Sequence, residues 1–95
     1  MAERTRLRAV KAVVRPDRRD EYLRRWRAYV EAAEAAGARV RLFEDQVLPG
    51  RFLELTEHEA GPGQEGRLAD AVRAANLRSV CVRREGDEVL YRHQS

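Results

Sequence analysis

The sequence predicts an α+β fold with the element order βαββαβ, in which two helices cover one face of an antiparallel sheet. One segment has apolar residues at the spacing of an amphipathic α-helix. It lies between a segment with the pattern of a β-strand and a predicted hairpin. The hairpin spans Leu42 to His58, where two strand-like runs meet at Pro49-Gly50. A second helical segment and further strand-like residues follow. The 95 residues are expected to form one domain, 1–95.

Residues 6–14 are predicted to form the first strand, and they are apolar on both faces. This pattern is typical of a central strand that is covered on both sides. Pro16 ends the strand, and Asp17 is placed to cap the helix that follows, which continues to about Ala36 and stops at Gly37. One side of this helix is apolar and aromatic, with Tyr22, Leu23, Trp26, Tyr29, Val30 and Ala33.

The remaining elements follow from alternation and from turn residues. We predict strands at 38–45 and 51–58, a loop at Gly61-Pro62-Gly63, a helix at 64–75 with Asn76 as its C-cap, and a terminal hairpin of 80–84 and 89–92 around Glu85-Gly86-Asp87. Two helices separated by hairpin strands give the split, ferredoxin-like arrangement.

The two faces of the predicted sheet differ in character. The face toward the helices is expected to carry Val10, Ala12, Val14, Val40, Leu42, Leu53, Leu55, Val80 and Val82. The opposite face is expected to carry Leu7, Ala9, Lys11, Val13, Arg41, Phe43, Phe52, Glu54, Thr56, His58, Cys81 and Arg83. The second face is half apolar, so in a monomer it would be an apolar patch exposed to water, which monomers usually avoid. We therefore predict a homodimer in which the two sheets pack against each other.

Two stretches resemble the dimeric α+β barrel superfamily, the small proteins similar to antibiotic-biosynthesis monooxygenases. They are Val14-Arg15-Pro16 leading into Glu21-Tyr22-Leu23-Arg24-Arg25-Trp26, and Leu42 to Asp45 followed by Pro49 to Glu57. The resemblance covers about residues 6–83. It implies that two sheets close into a barrel across a two-fold axis, and that ligands lie inside the barrel or between sheet and helices.

The resemblance does not extend to the residues that carry the family's reactions. Haem-degrading members use a strand Asn, a Trp among the sheet strands and a His on the second helix. Here residues 6–14 hold no Asn, Trp26 lies on the first helix, and residues 64–75 hold no His. The Asn and Trp set of cofactor-free monooxygenases is also missing, so catalytic residues stay unassigned and no haem or metal cofactor is expected.

Eight residues are candidates for a ligand site. Lys11, Glu54, Thr56 and His58 are predicted to converge on one face, where Phe43 and Phe52 would add apolar contact, and Tyr22 and Trp26 could line a pocket under the first helix. Each has a structural alternative. Lys11 and Glu54 could form a plain ion pair, His58 could be an interface or exposed residue, and Trp26 could be core.

Composition narrows the function classes. Charged residues make up 37% of the chain, and Lys11 is the only lysine among many arginines. The arginines of the first helix alternate with acids, the pattern of a solvated surface, which argues against nucleic acid as a partner.

Cys81 is the only cysteine, so no intrachain disulfide can form. No signal-like or membrane-spanning stretch is seen, and a cytoplasmic location is expected.

These observations predict a small homodimeric α+β barrel protein that binds a small apolar or aromatic molecule. Two alternatives stay open: a cofactor-independent monooxygenase or isomerase on the same fold, and an arginine-rich module that binds nucleic acid or an acidic partner.

Overall fold

The computed structural model describes residues 4–59 and 61–92, with side chains except those of Arg4, Pro62 and residues 87–92. Six main elements follow one another in this part of the chain: β1 Arg4–Val13, α1 Arg19–Ala35, β2 Arg39–Glu44, β3 Arg51–Glu59, α2 Pro62–Ala75 and β4 Arg83–Arg92. Two 3₁₀ turns, Pro16–Arg18 and Leu77–Val80, precede α1 and β4. The predicted βαββαβ order is confirmed.

The strands form one antiparallel sheet in the order β2-β3-β1-β4. β1 is central, as its two apolar faces predict, and Ala12 lies opposite Phe52 of β3 and Arg84 of β4. Both helices cover the face that carries these side chains, since Tyr22 of α1 and Leu68 of α2 share one buried core with Ala12 and Phe52. The arrangement is the predicted ferredoxin-like one. We call the other face, which the helices leave uncovered, the open face.

The start of α1 differs from the prediction, while its end agrees. Asp17 does not cap the helix: it lies in the 3₁₀ turn, 3.4 Å from the Arg15 guanidinium, because Pro16 tightens the chain before α1 begins. At the other end Gly37 has φ of 90°, a left-handed conformation that glycine adopts without strain. Gln64 of α2 then donates to the Ala36 carbonyl at 2.6 Å, which joins the two helices.

The predicted terminal hairpin is wrong. β4 is one continuous strand that pairs with β1 from Arg83 to Arg92. The residues interpreted as a turn therefore lie inside a strand. Gly86 has a packing role instead: it lies opposite Val10, and a Cβ at this position would come within 2.7 Å of the Val10 side chain. Val80 ends a 3₁₀ turn and Val82 is exposed, so neither belongs to the predicted helix-side strand face.

The predicted facing of β3 is inverted. Phe52, Glu54, Thr56 and His58 are buried under the helices, whereas Leu53 and Leu55 are on the open face and only half-buried. The tyrosines of α1 explain this register, because their hydroxyl groups reach the sheet and need polar partners there. Hydrophobicity alone favours the opposite facing, with the leucines inward.

The core lies between the sheet and the two helices and is built around the aromatic side of α1. Tyr22 is fully buried, with its ring centroid 4.6 Å from that of Phe52. Trp26 is 6% exposed and packs 5.2 Å from the Tyr29 ring, which confirms its prediction as a core residue. Most other core residues are small, such as Ala33, so the aromatic rings supply much of the buried apolar area.

A buried ion pair fastens β4 to the rest of this core. Arg84 donates to Glu54 across β1, with Nη2 2.7 Å from Oε1, and both side chains are at most 5% exposed. The Tyr22 hydroxyl donates to the other carboxylate oxygen at 2.6 Å. Both oxygens of the Glu54 carboxylate thus have partners, which a buried charge requires.

We expect Trp26→Ala to lower the free energy of unfolding by about 3–5 kcal/mol, because the change empties a large volume that small neighbours cannot refill. The measurement is chemical denaturation at fixed protein concentration. Arg27→Ala is the matched control, since Arg27 is the next residue and is exposed, and it should stay within about 0.5 kcal/mol of the parent. Equal midpoints for Trp26→Ala and the parent would contradict the packing described.

We expect Arg84→Met to cost about 3–5 kcal/mol, because it leaves the Glu54 carboxylate buried without its cation. Arg78→Met makes the same chemical change at an exposed position and should be nearly neutral. Adding Glu54→Gln to Arg84→Met should recover part of the loss, since it removes the unpaired charge. A double variant less stable than Arg84→Met would show that the pair is not the source of the effect.

Candidate functional site

The eight predicted site residues do not form one group. Tyr22, Trp26, Phe52, Glu54, Thr56 and His58 lie on the helix side of the sheet, whereas Lys11 and Phe43 are on the open face. The predicted pairing of Lys11 with Glu54 is wrong: in the sheet register Lys11 lies opposite Leu53, and Glu54 lies opposite Val10. Phe52 is likewise core and not an interface residue. The inverted facing of β3 accounts for both corrections.

The Tyr22–Glu54–Arg84 group is sealed and offers no room for a ligand. Burial, followed by the nearby Glu54 carboxylate, raises the pKa of Tyr22 well above its usual range, so its hydroxyl stays protonated and donates. Cys81 is close to this group, not on the predicted open face: its thiol donates to the Leu77 carbonyl at 3.1 Å, and burial raises its pKa to about 11. The thiol is thus held in its less nucleophilic form.

A cavity of about 260 Å³ opens beside this group, under α2. Its polar walls come from β1, β3 and α1, and α2 supplies an apolar part. The lining residues are Arg6, Arg8, Tyr29, Thr56, His58, Glu65, Leu68 and Ala69. Tyr29, Thr56 and His58 are each at least 94% buried, with exposures of 3%, 5% and 6%. We call these three residues and the space that they border the helix-side cavity.

The hydroxyl pair in this cavity has one proton to spare. Tyr29 Oη and Thr56 Oγ1 are 2.7 Å apart, so one hydroxyl donates to the other. Two hydroxyls carry two protons, and this contact uses one. No other described residue accepts from either oxygen. A buried hydroxyl proton without an acceptor is unfavourable, so the cavity is prepared for an acceptor atom from water or a ligand.

The tautomer of His58 follows from its one hydrogen bond. Nδ1 is 2.8 Å from the Glu59 carbonyl oxygen. A carbonyl can only accept, so Nδ1 carries a proton and, in the neutral ring, Nε2 carries the lone pair. No described residue hydrogen-bonds to Nε2. The ring therefore presents an acceptor to the cavity, beside a hydroxyl pair that presents a donor.

Two arginines of β1 add positive charge to the same wall. Arg6 lies opposite His58 and Arg8 lies opposite Thr56 in the β1–β3 register. Arg6 Nε is 2.7 Å from a Glu65 carboxylate oxygen of α2. Arg8 and Tyr29 both line the cavity. Burial raises the pKa of Tyr29, and the hydrogen bond with Thr56 and then the Arg8 charge partly oppose this rise. Sequence reasoning missed both arginines because β3 was assigned the wrong facing.

The open face presents an apolar surface to solvent. Leu7, Ala9, Val13, Leu53 and Leu55 are half-buried there, and Phe43 is 46% exposed. Charges of both signs lie among them: Lys11 lies opposite Glu85, and the Arg41 guanidinium is 5.6 Å from the centre of the Phe43 ring. A cavity of about 500 Å³, partly lined by Lys11 and Phe43, lies at one end of this face.

The described residues contain neither a metal-binding cluster nor a membrane-spanning helix. None of their His, Cys, Asp and Glu side chains form a group of three or more that could hold a metal ion. Neither helix of the described part has the length and apolar character needed to span a bilayer.

The fold is shared with several solved structures, although no protein-family model and no curated protein sequence matches the chain. A protein of Nitrosomonas europaea assigned to antibiotic biosynthesis monooxygenases has a TM-score of 0.73 at 13% identity, over 98% of this chain and 93% of that one. One from Chloroflexus aurantiacus J-10-fl with the same assignment has a TM-score of 0.70 at 13% identity, covering 96% of both chains. A NIPSNAP family protein of Agrobacterium tumefaciens has a TM-score of 0.63 at 18% identity, covering 90% of both. The predicted resemblance is confirmed at the level of structure: the chain has the fold of the α+β barrel proteins similar to antibiotic biosynthesis monooxygenases.

Proposed function

We propose that the protein is a homodimer in which each chain binds a small organic molecule in the helix-side cavity. The observation that carries the ligand proposal is the set of buried polar groups with spare hydrogen-bonding capacity. Tyr29 and Thr56 have a proton to donate, and His58 Nε2 has a lone pair to share. A ligand with matching atoms could bond to these groups from within the cavity that they line.

The lining indicates the size and chemistry of this ligand. A volume of about 260 Å³ is slightly below the usual range for drug-sized ligands, about 300–1,000 Å³, and suits a molecule built on one ring. Leu68 and Ala69 of α2 favour an apolar or aromatic body. The hydroxyl pair and Arg8 favour an oxygen atom with negative character at the other end, whereas the charge of Arg6 is balanced by Glu65. We therefore propose a small aromatic compound with a carbonyl, carboxylate or enolate group.

The open face supports the dimer. Its leucines and Phe43 form an apolar surface of the kind that mostly serves as an interface. A two-fold axis brings the same surface of each copy together, so cations and anions on one face can meet their opposites on the other. Lys11 and Arg41 supply the cations, and Glu57 and Glu85 supply the anions. Two sheets packed in this way would close the α+β barrel.

The arginines on the surface of the helices do not favour binding to nucleic acid. Arg24 and Arg25 of α1 both pair with Glu21, and Arg73 of α2 pairs with Asp70. Charges neutralised within the same helix form a solvated surface, not a continuous basic patch. The expected absence of a metal or haem cofactor and the expected cytoplasmic location stay predictions.

We expect the parent protein to have twice the chain mass of 10.9 kDa in light scattering at micromolar concentration. Leu55→Glu should weaken the dimer more than tenfold, because it places a charge in the middle of the apolar contact. Val47→Glu is the control: Val47 is 83% exposed in the β2–β3 turn, away from the open face. A monomeric parent, or equal dissociation of the two variants, would contradict the dimer.

We expect a small aromatic carboxylate, with salicylate and phenylpyruvate as probes, to raise the melting temperature. At ten times its dissociation constant, the probe would stabilise the protein by about 1.4 kcal/mol, or about 6–11 °C for a domain of this size. Thr56→Val should abolish the shift, because it removes the hydroxyl that Tyr29 contacts.

The control for this experiment is Ser79→Ala, which removes a hydroxyl at an exposed position of the Leu77–Val80 turn, outside the lining of the cavity. It should leave the shift unchanged. Equal shifts in the two variants would place any bound probe elsewhere, and no shift in the parent would contradict the site.

A further inference from the structure

We propose that His58 is a general base that moves a proton between carbon and oxygen in a bound ketone, so that the protein catalyses keto–enol isomerisation. This inference rests on the proposed ligand site. It assigns that site an activity: the substrate carries a carbonyl group next to a carbon that holds an acidic hydrogen.

The base is pre-oriented. The hydrogen bond from Nδ1 to the Glu59 carbonyl fixes the ring and its tautomer, so the lone pair of neutral His58 is on Nε2. The side chain is 6% exposed, and no described residue occupies Nε2. Nδ1 is thus anchored to the backbone, and the His58 side chain lines the cavity, which is the placement that a base acting on a ligand requires.

The groups that would receive the carbonyl oxygen lie one step along the same strand. Thr56 and Tyr29 share a hydrogen bond, and Arg8 lies opposite Thr56 and lines the same cavity. A hydroxyl donor beside a cation stabilises negative charge as it develops on oxygen. Burial raises the pKa of Tyr29, so this hydroxyl stays protonated and can donate.

The placement of the groups suits a ketone. Thr56 and His58 are two residues apart on β3, face the same side of the sheet and line the same cavity. A bound carbonyl group would direct its oxygen at the hydroxyl pair and its adjacent carbon at the His58 ring. Leu68 and Ala69 of α2 leave room for an apolar substituent.

The step balances without an outside reagent. The proton leaves the carbon for Nε2, and the electron pair of the broken C–H bond forms the C=C bond of the enolate. The carbonyl π pair moves to oxygen, where the hydroxyl pair and Arg8 stabilise it. Return of the proton to oxygen gives the enol, and its return to carbon restores the ketone. Nothing is oxidised or reduced.

Deuterium uptake tests this activity directly. Phenylpyruvate and the neutral ketone phenylacetone serve as probes in D₂O, and NMR follows the loss of signal at the carbon beside the carbonyl. We expect the parent protein to accelerate exchange above the buffer rate. His58→Gln keeps a donor for the Glu59 carbonyl but has no base, and it should slow exchange at least a hundredfold while the melting shift with each probe persists.

Two controls separate the base from other causes. Ser79→Ala, at an exposed position outside the cavity lining, should exchange at the parent rate. Lys11→Arg removes the only lysine side chain and should also exchange at the parent rate, which excludes an imine between a lysine and the ketone.

The outcomes distinguish this inference from the proposed function. A probe that binds without faster exchange refutes proton transfer and leaves the ligand site standing. Exchange at the parent rate in His58→Gln shows that another group is the base and refutes the assignment to His58. If neither ketone binds, the ligand site and the activity both fail. Faster exchange that is lost in His58→Gln, with binding retained, supports both.

Discussion

The hydroxyl groups of the α1 tyrosines are the constraint on which the rest of the structure depends. Tyr22 and Tyr29 lie on the buried side of α1 and direct their hydroxyls at β3, where each requires a partner. Glu54 and Thr56 supply these partners at 2.6 and 2.7 Å. Since side chains alternate along a strand, these two contacts determine the facing of every residue in β3.

Two consequences follow from that one choice of register. Leu53 and Leu55 turn away from the helices and give the open face its apolar character. His58, two residues beyond Thr56, turns inward and joins the helix-side cavity. The surface that would pair two copies and the cavity that would hold a ligand thus share one cause. A strand with the leucines inward would have a more conventional core, but it would lack both features.

This explains which parts of the fold the sequence could predict. The period of the α1 side chains identified the helix and its buried Trp26, and Gly37 and Asn76 marked the ends of the helices correctly. The alternation of apolar and polar side chains identified β3 as a strand. It cannot show which set faces the helices, because the polar set is buried through hydrogen bonds to tyrosines that are distant in sequence. Likewise Glu85-Gly86-Asp87 has the composition of a turn, while the close approach of Val10 to Gly86 appears only in the folded sheet. Arg84 was missed because its partner Glu54 is 30 residues away.

The buried polar residues also explain why the cavity can remain open beside a well-packed core. Arg84 and Tyr22 together saturate the Glu54 carboxylate, so that part of the interior is closed and fixed. Tyr29, Thr56 and His58 are equally buried, but within the described residues they use only part of their hydrogen-bonding capacity. In a small domain, about 1 kcal/mol is a sizeable share of the free energy of unfolding. Polar groups with unused hydrogen-bonding capacity lower that free energy. The contrast between two adjacent polar sets, one complete and one with capacity to spare, is what singles out the second as the place where this fold would do chemistry.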